Sequence, residues 1–301
     1  MNRLVALFCF TVLGLAVSSI GAQLTVGSAF IETVSKRIYD RASKTGSPQN
    51  AIKQFCDVEK SAFARRVFLE YGAMFVASDD VKLPDVCYFS DFEATKKFQS
   101  TVRTRTALIG GIEIKLQEPA MNALLKVIDE AGMLQIKVSP FDGTIAASRN
   151  YADTVVIWNS RFEPALKYWV RRGSVAPDEA SQVVALPLEH RVEKVIEWES
   201  RGMWFGTGRS GSIFSSTAPP GSSQHLSLLA FDVAGRPSAQ LIAIFNAHGW
   251  FQTVKGDSQH FTYLGLQEPE LMARGLRPFY FGGMKYWIPD LAFSQAIVRP
   301  D

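Results

Sequence analysis

The chain has 301 residues, 47% apolar and 20% charged, with a formal net charge of +3 at neutral pH and a pI near 8.7. Such a length can bury one large core or two smaller ones, and the composition is ordinary for a globular protein. The slight basicity is too small to argue for nucleic acid as a partner, though it is compatible with an anionic polymer.

Residues 1–22 read as an export signal. Asn2-Arg3 supplies a positive start, Leu4 to Val17 an apolar run, and Ser18-Ser19-Ile20-Gly21-Ala22 a small-residue stretch suited to cleavage. The run is shorter than the roughly 20 residues that cross a bilayer, so no stable membrane anchor is expected after removal, and the product is periplasmic or secreted. Cys9 leaves with the signal. Cys56 and Cys87 then form an even pair in an oxidising compartment, and a disulfide between them is predicted.

Residues 23–100 are expected to be helical. Phe30, Ile31, Val34 and Ile38 recur at helical spacing, as do Ala62, Phe63, Val67, Phe68 and Tyr71, with a break at Gly46-Ser47-Pro48. Val81 to Asp91 reads as a loop tied down by the disulfide. Gln117-Glu118-Pro119 opens a helix through Ala131, with Pro in the first turn and Gly132 just past the end. A short strand is predicted from Leu134 to Val138. Trp158 to Arg172 reads as an amphipathic helix, Gly173 to Leu188 as a loop and His190 to Glu199 as a charged helix. His190, among Glu189, Arg191 and Glu193, is placed on a solvated face without a metal role.

Gly206 to Gly211 matches the dinucleotide fingerprint G-x-G-x-x-G, but Pro219-Pro220-Gly221 follows where a helix is required. A nucleotide cofactor is therefore not expected, and the stretch reads as a mobile loop beside the active site. No G-x-S-x-G elbow is present, so a serine hydrolase is unsupported. Ser238 to Asn246 returns to helix. Trp250 to Val254 and Phe261 to Leu264 then read as two strands joined by a turn at Lys255-Gly256-Asp257. Residues 266–301, rich in aromatics, read as a C-terminal extension covering apolar surface.

Between Ser223 and Tyr263 lie His225, Asp232 and His260, with Asp257 three residues before the last. Two imidazoles and a carboxylate can hold a tetrahedral Zn²⁺ by three protein ligands and leave the fourth position to water. Asp257 is then the candidate base for that water's proton.

The pattern Ser223-x-His225, Ala230-x-Asp232 and Asp257-x-x-His260 resembles the zinc D-alanyl-D-alanine carboxypeptidase and L-alanyl-D-glutamate endopeptidase family, whose signature is S-x-H-x-x-G-x-A-x-D with a later E/D-x-x-H. The family's glycine falls on Leu228. Ser148-Arg149-Asn150-Tyr151 resembles the family's R-S-Y motif, which implies that Arg149 grips a substrate carboxylate or a carbonyl oxygen gaining charge. The resemblance covers about residues 100 to 265. It implies an α+β fold of the hedgehog/DD-peptidase type, with a small, mostly antiparallel sheet and flanking helices. A zinc peptidase-like domain over 101–265 follows the helical N-terminal region. The implied substrate is the peptidoglycan stem peptide, cut at a bond involving D-amino acids. Aspartate in the base position leans toward the endopeptidases. The other reading is a noncatalytic cell-wall-binding protein that keeps the fold, suggested by Leu228 and by Asn150 in place of the motif's serine.

Overall fold

The computed structural model describes residues 29–41 and 48–291, and of 48–50 the backbone alone. The export signal with Cys9, and residues 292–301 of the C-terminal extension, lie outside the described residues. The fold is α+β: ten α-helices and seven strands, the strands in three antiparallel sheets, among the described residues.

The first helices form as their spacing dictates. α1 (Ala29–Arg41), α2 (Pro48–Phe55) and α3 (Ala62–Tyr71) are in place, with Phe30, Ile31 and Val34 on the buried face of α1 and Phe63, Val67, Phe68 and Tyr71 on that of α3. The Ser61 side chain caps α3 by accepting from the Ala64 amide at 3.0 Å. Residues 81–91 form the expected loop, closed by the Cys56–Cys87 disulfide with the Cα atoms 5.4 Å apart. α4 (Phe92–Ser100) follows, capped by the Asp91 carboxylate.

β1 (Thr104–Ile109) and β2 (Ile112–Gln117) make a hairpin that the sequence reading passed over. Its signal is nonetheless local: Gly110 and Gly111 both take positive φ, as a two-residue turn of this hand requires. α5 (Glu118–Met133) opens on Pro119 as expected but runs through Gly132. It stops where Gln135 takes the left-handed conformation, φ 59°, with Ile136 N donating to Ala131 O at 2.8 Å. The strand predicted over Leu134–Val138 does not form. The segment is this helix cap and an irregular run, with a single bridge from Pro140 to Val233. Because an L-residue in the left-handed region costs about 1 kcal/mol, Gln135→Gly should raise the unfolding free energy by roughly that much in urea titration; an unchanged or lower midpoint would count against the cap.

α6 (Tyr151–Arg171) begins earlier than its apolar face indicated, because Asn150 and Asp153 form a reciprocal capping box. The expected loop at 173–188 is overturned by α7 (Pro177–Ala185), with Pro177 at its first turn, Asp178 and Glu179 beside it, and Ala180 and Val183 buried. α8 (Leu188–Ser200) is the charged helix, and His190 on it stands exposed against Glu193. At Gly206–Gly211 no strand immediately precedes and no α-helix immediately follows, so the fingerprint stands outside the strand–turn–helix setting of the dinucleotide motif. Gly206 instead meets Gly211 O and Ser212 O so closely that a Cβ would sit 2.6 Å from each, which pinches the loop shut.

The central sheet has the order β3-β5-β4, built from β3 (Ala230–Asp232), β4 (Trp250–Phe251) and β5 (His260–Tyr263), with α9 (Ala239–Ala247) between β3 and β4. β4 is shorter than expected, and the turn carrying Asp257 joins it to β5. His248, at the end of α9, pairs with Glu130 at 2.8 Å. The C-terminal extension folds as α10 (Glu268–Ala273) and a hairpin of β6 (Leu276–Phe281) and β7 (Met284–Pro289). Its Leu271, Leu276 and Trp287 are buried, while Tyr280 and Phe281 are exposed.

The apolar side chains gather into two cores. One joins α1, α5, the central sheet, Leu271, Leu276 and Trp287; the other joins Phe63, Val67 and Tyr71 of α3 to α6, α7, α8 and the loop at Phe205 to Phe214. α1, α5, the central sheet and the C-terminal extension therefore share the first core, and α3 contributes to both.

Candidate metal centre

The sheet register brings two distant residues together. Asp232 is the last residue of β3 and His260 the first of β5, and they are direct cross-strand partners. His225 comes from the single turn of 3₁₀ helix at Gln224–Ser227, which ends on Leu228 at φ 57°, ψ 33°. The position that carries glycine in the resembled signature thus adopts the left-handed backbone that glycine favours, and a buried leucine holds it.

His225, Asp232 and His260 each offer a ligand atom within 4.8 Å of the others, and all three are buried. His260 Nδ1 lies 2.9 Å from Asp232 Oδ1 and 3.2 Å from His225 Nε2, and His225 Nε2 lies 3.2 Å from Asp232 Oδ2. Ligand atoms about 2 Å from a tetrahedral zinc sit roughly 3.3 Å from one another; the two nitrogens meet that spacing, each with a different Asp232 oxygen at a similar distance. The donor set fits too, since metal ligation needs neutral imidazoles and an ionised carboxylate. Burial, helped by the charge of Arg149, lowers the His225 pKa to about 4, leaving it neutral at pH 7. Burial alone would push the Asp232 carboxyl up, but His225 and His260 overcome it and hold the group well below the usual carboxylate range.

Arg149 precedes the Asn150 cap of α6. Its Nε donates to Ile145 O at 2.9 Å and its Nη2 to Asp232 Oδ2 at 2.7 Å. The guanidinium implied to grip substrate therefore also grips a ligand carboxylate.

Asp257 sits in the turn before β5 and lines the same cleft, of about 350 Å³, as Arg149, His225, Asp232 and His260. Its turn is open to solvent, while protein packed around the cleft desolvates the carboxyl and raises its pKa, opposed by His260. Tyr71, Phe214 and Val254 of the second core line the cleft, as do Phe141 and Ile145.

All five sequence-predicted site residues thus line one cleft. Two contributors were missed: Tyr71, read as helix packing, whose hydroxyl donates to Phe214 O, and Gln224, beside His225. Gly221 also shapes the approach to the site. At φ +83° it lies against Phe89, where a Cβ would fall 2.0 Å from the carbonyl oxygen, and so ties the chain leading to His225 to the disulfide loop. No described helix is long and apolar enough to cross a membrane. Comparison with protein-family models, with curated proteins and with solved structures finds no match to this chain.

Proposed function

We propose that the chain is an exported zinc peptidase acting on peptidoglycan stem peptides that contain D-amino acids, with a fold of the hedgehog/DD-peptidase type. The observation that carries the reading is the convergence of His225, Asp232 and His260 in a buried group beside Asp257 and Arg149. The three ligands would hold Zn²⁺, and an ion so held supplies Lewis acidity and lowers the pKa of water toward 7. Asp257 takes the proton from the attacking water as its oxygen bonds to the scissile carbonyl carbon, then returns a proton to the amine as the C–N bond breaks. Arg149 keeps N–H donors beyond its two internal bonds, and these steady the substrate's carboxylate or carbonyl oxygen. Aspartate as the base favours the L-alanyl-D-glutamate bond.

A second reading, a noncatalytic wall-binding protein, is favoured by one contact. A guanidinium 2.7 Å from Asp232 neutralises the carboxylate that a divalent ion would need. Elemental analysis of the purified protein separates the two, with one zinc per chain expected and no stoichiometric metal overturning the peptidase. Mass analysis of digested muropeptides then identifies the bond. Cleavage after L-alanine is expected, and loss of a terminal D-alanine would overturn the endopeptidase choice.

A further inference from the structure

Gln224 lies one residue from a proposed ligand, is 1% exposed, and uses every hydrogen-bonding position of its amide. Its Nε2 donates to Tyr71 O at 2.9 Å and reaches Thr253 Oγ1 at 3.3 Å. Its Oε1 faces Thr262 Oγ1 and, at 2.8 Å, His260 Nε2. Thr253 and Thr262 hydroxyls are themselves 2.7 Å apart.

These contacts fix the orientation of the amide. A backbone carbonyl can only accept, so the edge of Gln224 that faces Tyr71 O must be the NH₂ group, and the edge that faces His260 must be the carbonyl oxygen. The hydroxyls surround it: Thr262 donates to Gln224 Oε1, and Thr253 Oγ1 lies 3.3 Å from both Nε2 and Oε1. The remaining lone pair of Oε1 takes its hydrogen from His260 Nε2. His260 Nε2 thus carries a proton, and Nδ1, on the other side of the ring, is the atom 2.9 Å from Asp232 Oδ1 and 3.2 Å from His225 Nε2.

We infer that Gln224 is the positioning residue of this centre: it holds a proton on Nε2 of His260 and fixes the ring orientation, so that Nδ1 is presented beside Asp232 for a cation. Without that acceptor, nothing behind the ring holds it in that orientation. His225 has no such support, because its Nδ1 is buried with no hydrogen-bond partner. The centre is thus held from behind on one side, by an amide anchored to α3 through the Tyr71 carbonyl. The inference rests on the zinc reading for its purpose, and on the hydrogen-bond geometry for its mechanism.

The test reads the proton directly. Long-range ¹H–¹⁵N spectra of the metal-free full chain at pH 8.5 should show His260 protonated at Nε2. Gln224→Met, of similar shape but without the amide acceptor, should lose that proton and weaken zinc binding 10–100-fold in chelator competition. Gln224→Glu, which keeps an acceptor facing Nε2, should retain the wild-type tautomer and bind zinc more tightly than Gln224→Met. A wild-type His260 without a proton on Nε2, or an unchanged Nε2 proton in a folded Gln224→Met variant, would overturn the inference. A wild-type protein that shows the expected tautomer but takes up no zinc would overturn the metal reading and leave the positioning role in place.

Discussion

Asp257→Asn is expected to keep its zinc and to lose stem-peptide hydrolysis by about 10²–10⁴-fold, the range a positioned proton-transfer group supplies. The side chain keeps its size and loses the lone pair that takes the proton. The metal is retained because Asp257 is not among the three converging ligands. Its location makes the effect specific. The turn ahead of β5 holds it three residues before His260, in the wall of the cleft that Arg149 and both histidines line. Desolvation raises its pKa, which strengthens it as a base. The measurement is kcat/KM on a purified muropeptide with zinc content determined on the same sample. Activity within tenfold of wild type would remove Asp257 from the mechanism, and loss of zinc would make it a ligand.

The metal-free protein should lose on the order of 3 kcal/mol of stability as the pH falls from about 6.5 to about 4, through His225 alone. The sign follows from burial. Folding holds this imidazole neutral down to about pH 4, whereas in the unfolded chain it takes a proton near 6.5, so between those values the unfolded state binds more protons. The contribution is complete above 6.5 and gone below 4. Asp232 adds a second loss at still lower pH, because its depressed pKa contributes stability only while the unfolded carboxyl is ionised. Urea unfolding of metal-free wild type and His225→Gln at pH 7 and pH 4.5 isolates the histidine. The variant's loss should be smaller by most of that amount, and equal losses in the two proteins would show that His225 is not held neutral by the fold.

The parts of the fold that could be read from sequence are those set by local chemistry. The buried faces of α1 and α3 follow from apolar spacing, and the Cys56–Cys87 bridge from an even pair left after the signal. The meeting of His225, Asp232 and His260 was legible through one spacing pattern, and the cross-strand register of β3 and β5 is its physical basis. What was misread had ambiguous local signals. Leu134, Ile136 and Val138 alternate like a strand, yet Leu134 is exposed and the segment only caps α5. α7 is nine residues long with two buried apolar positions, too little periodicity to distinguish it from a loop. Partners set by tertiary packing left no local trace: Arg149 bonds a carboxylate 83 residues away, and Gln224 is defined by groups 29 to 153 residues distant. Leu228 lies between these cases, since the resembled signature marked the position and the structure supplied the φ that explains it.

Gly275 has a consequence for how the molecule could be rewired. A Cβ there would fall 1.9 Å from Phe30 N, while its carbonyl accepts the Asp290 amide at 2.8 Å. The first and last described segments are therefore neighbours, and a short linker could join them. A circular permutant of the described segments, opened at the exposed tip of the β1–β2 hairpin, would keep His225, Asp232 and His260 on their native strands or turn, and would place the new junction far in sequence from the new ends.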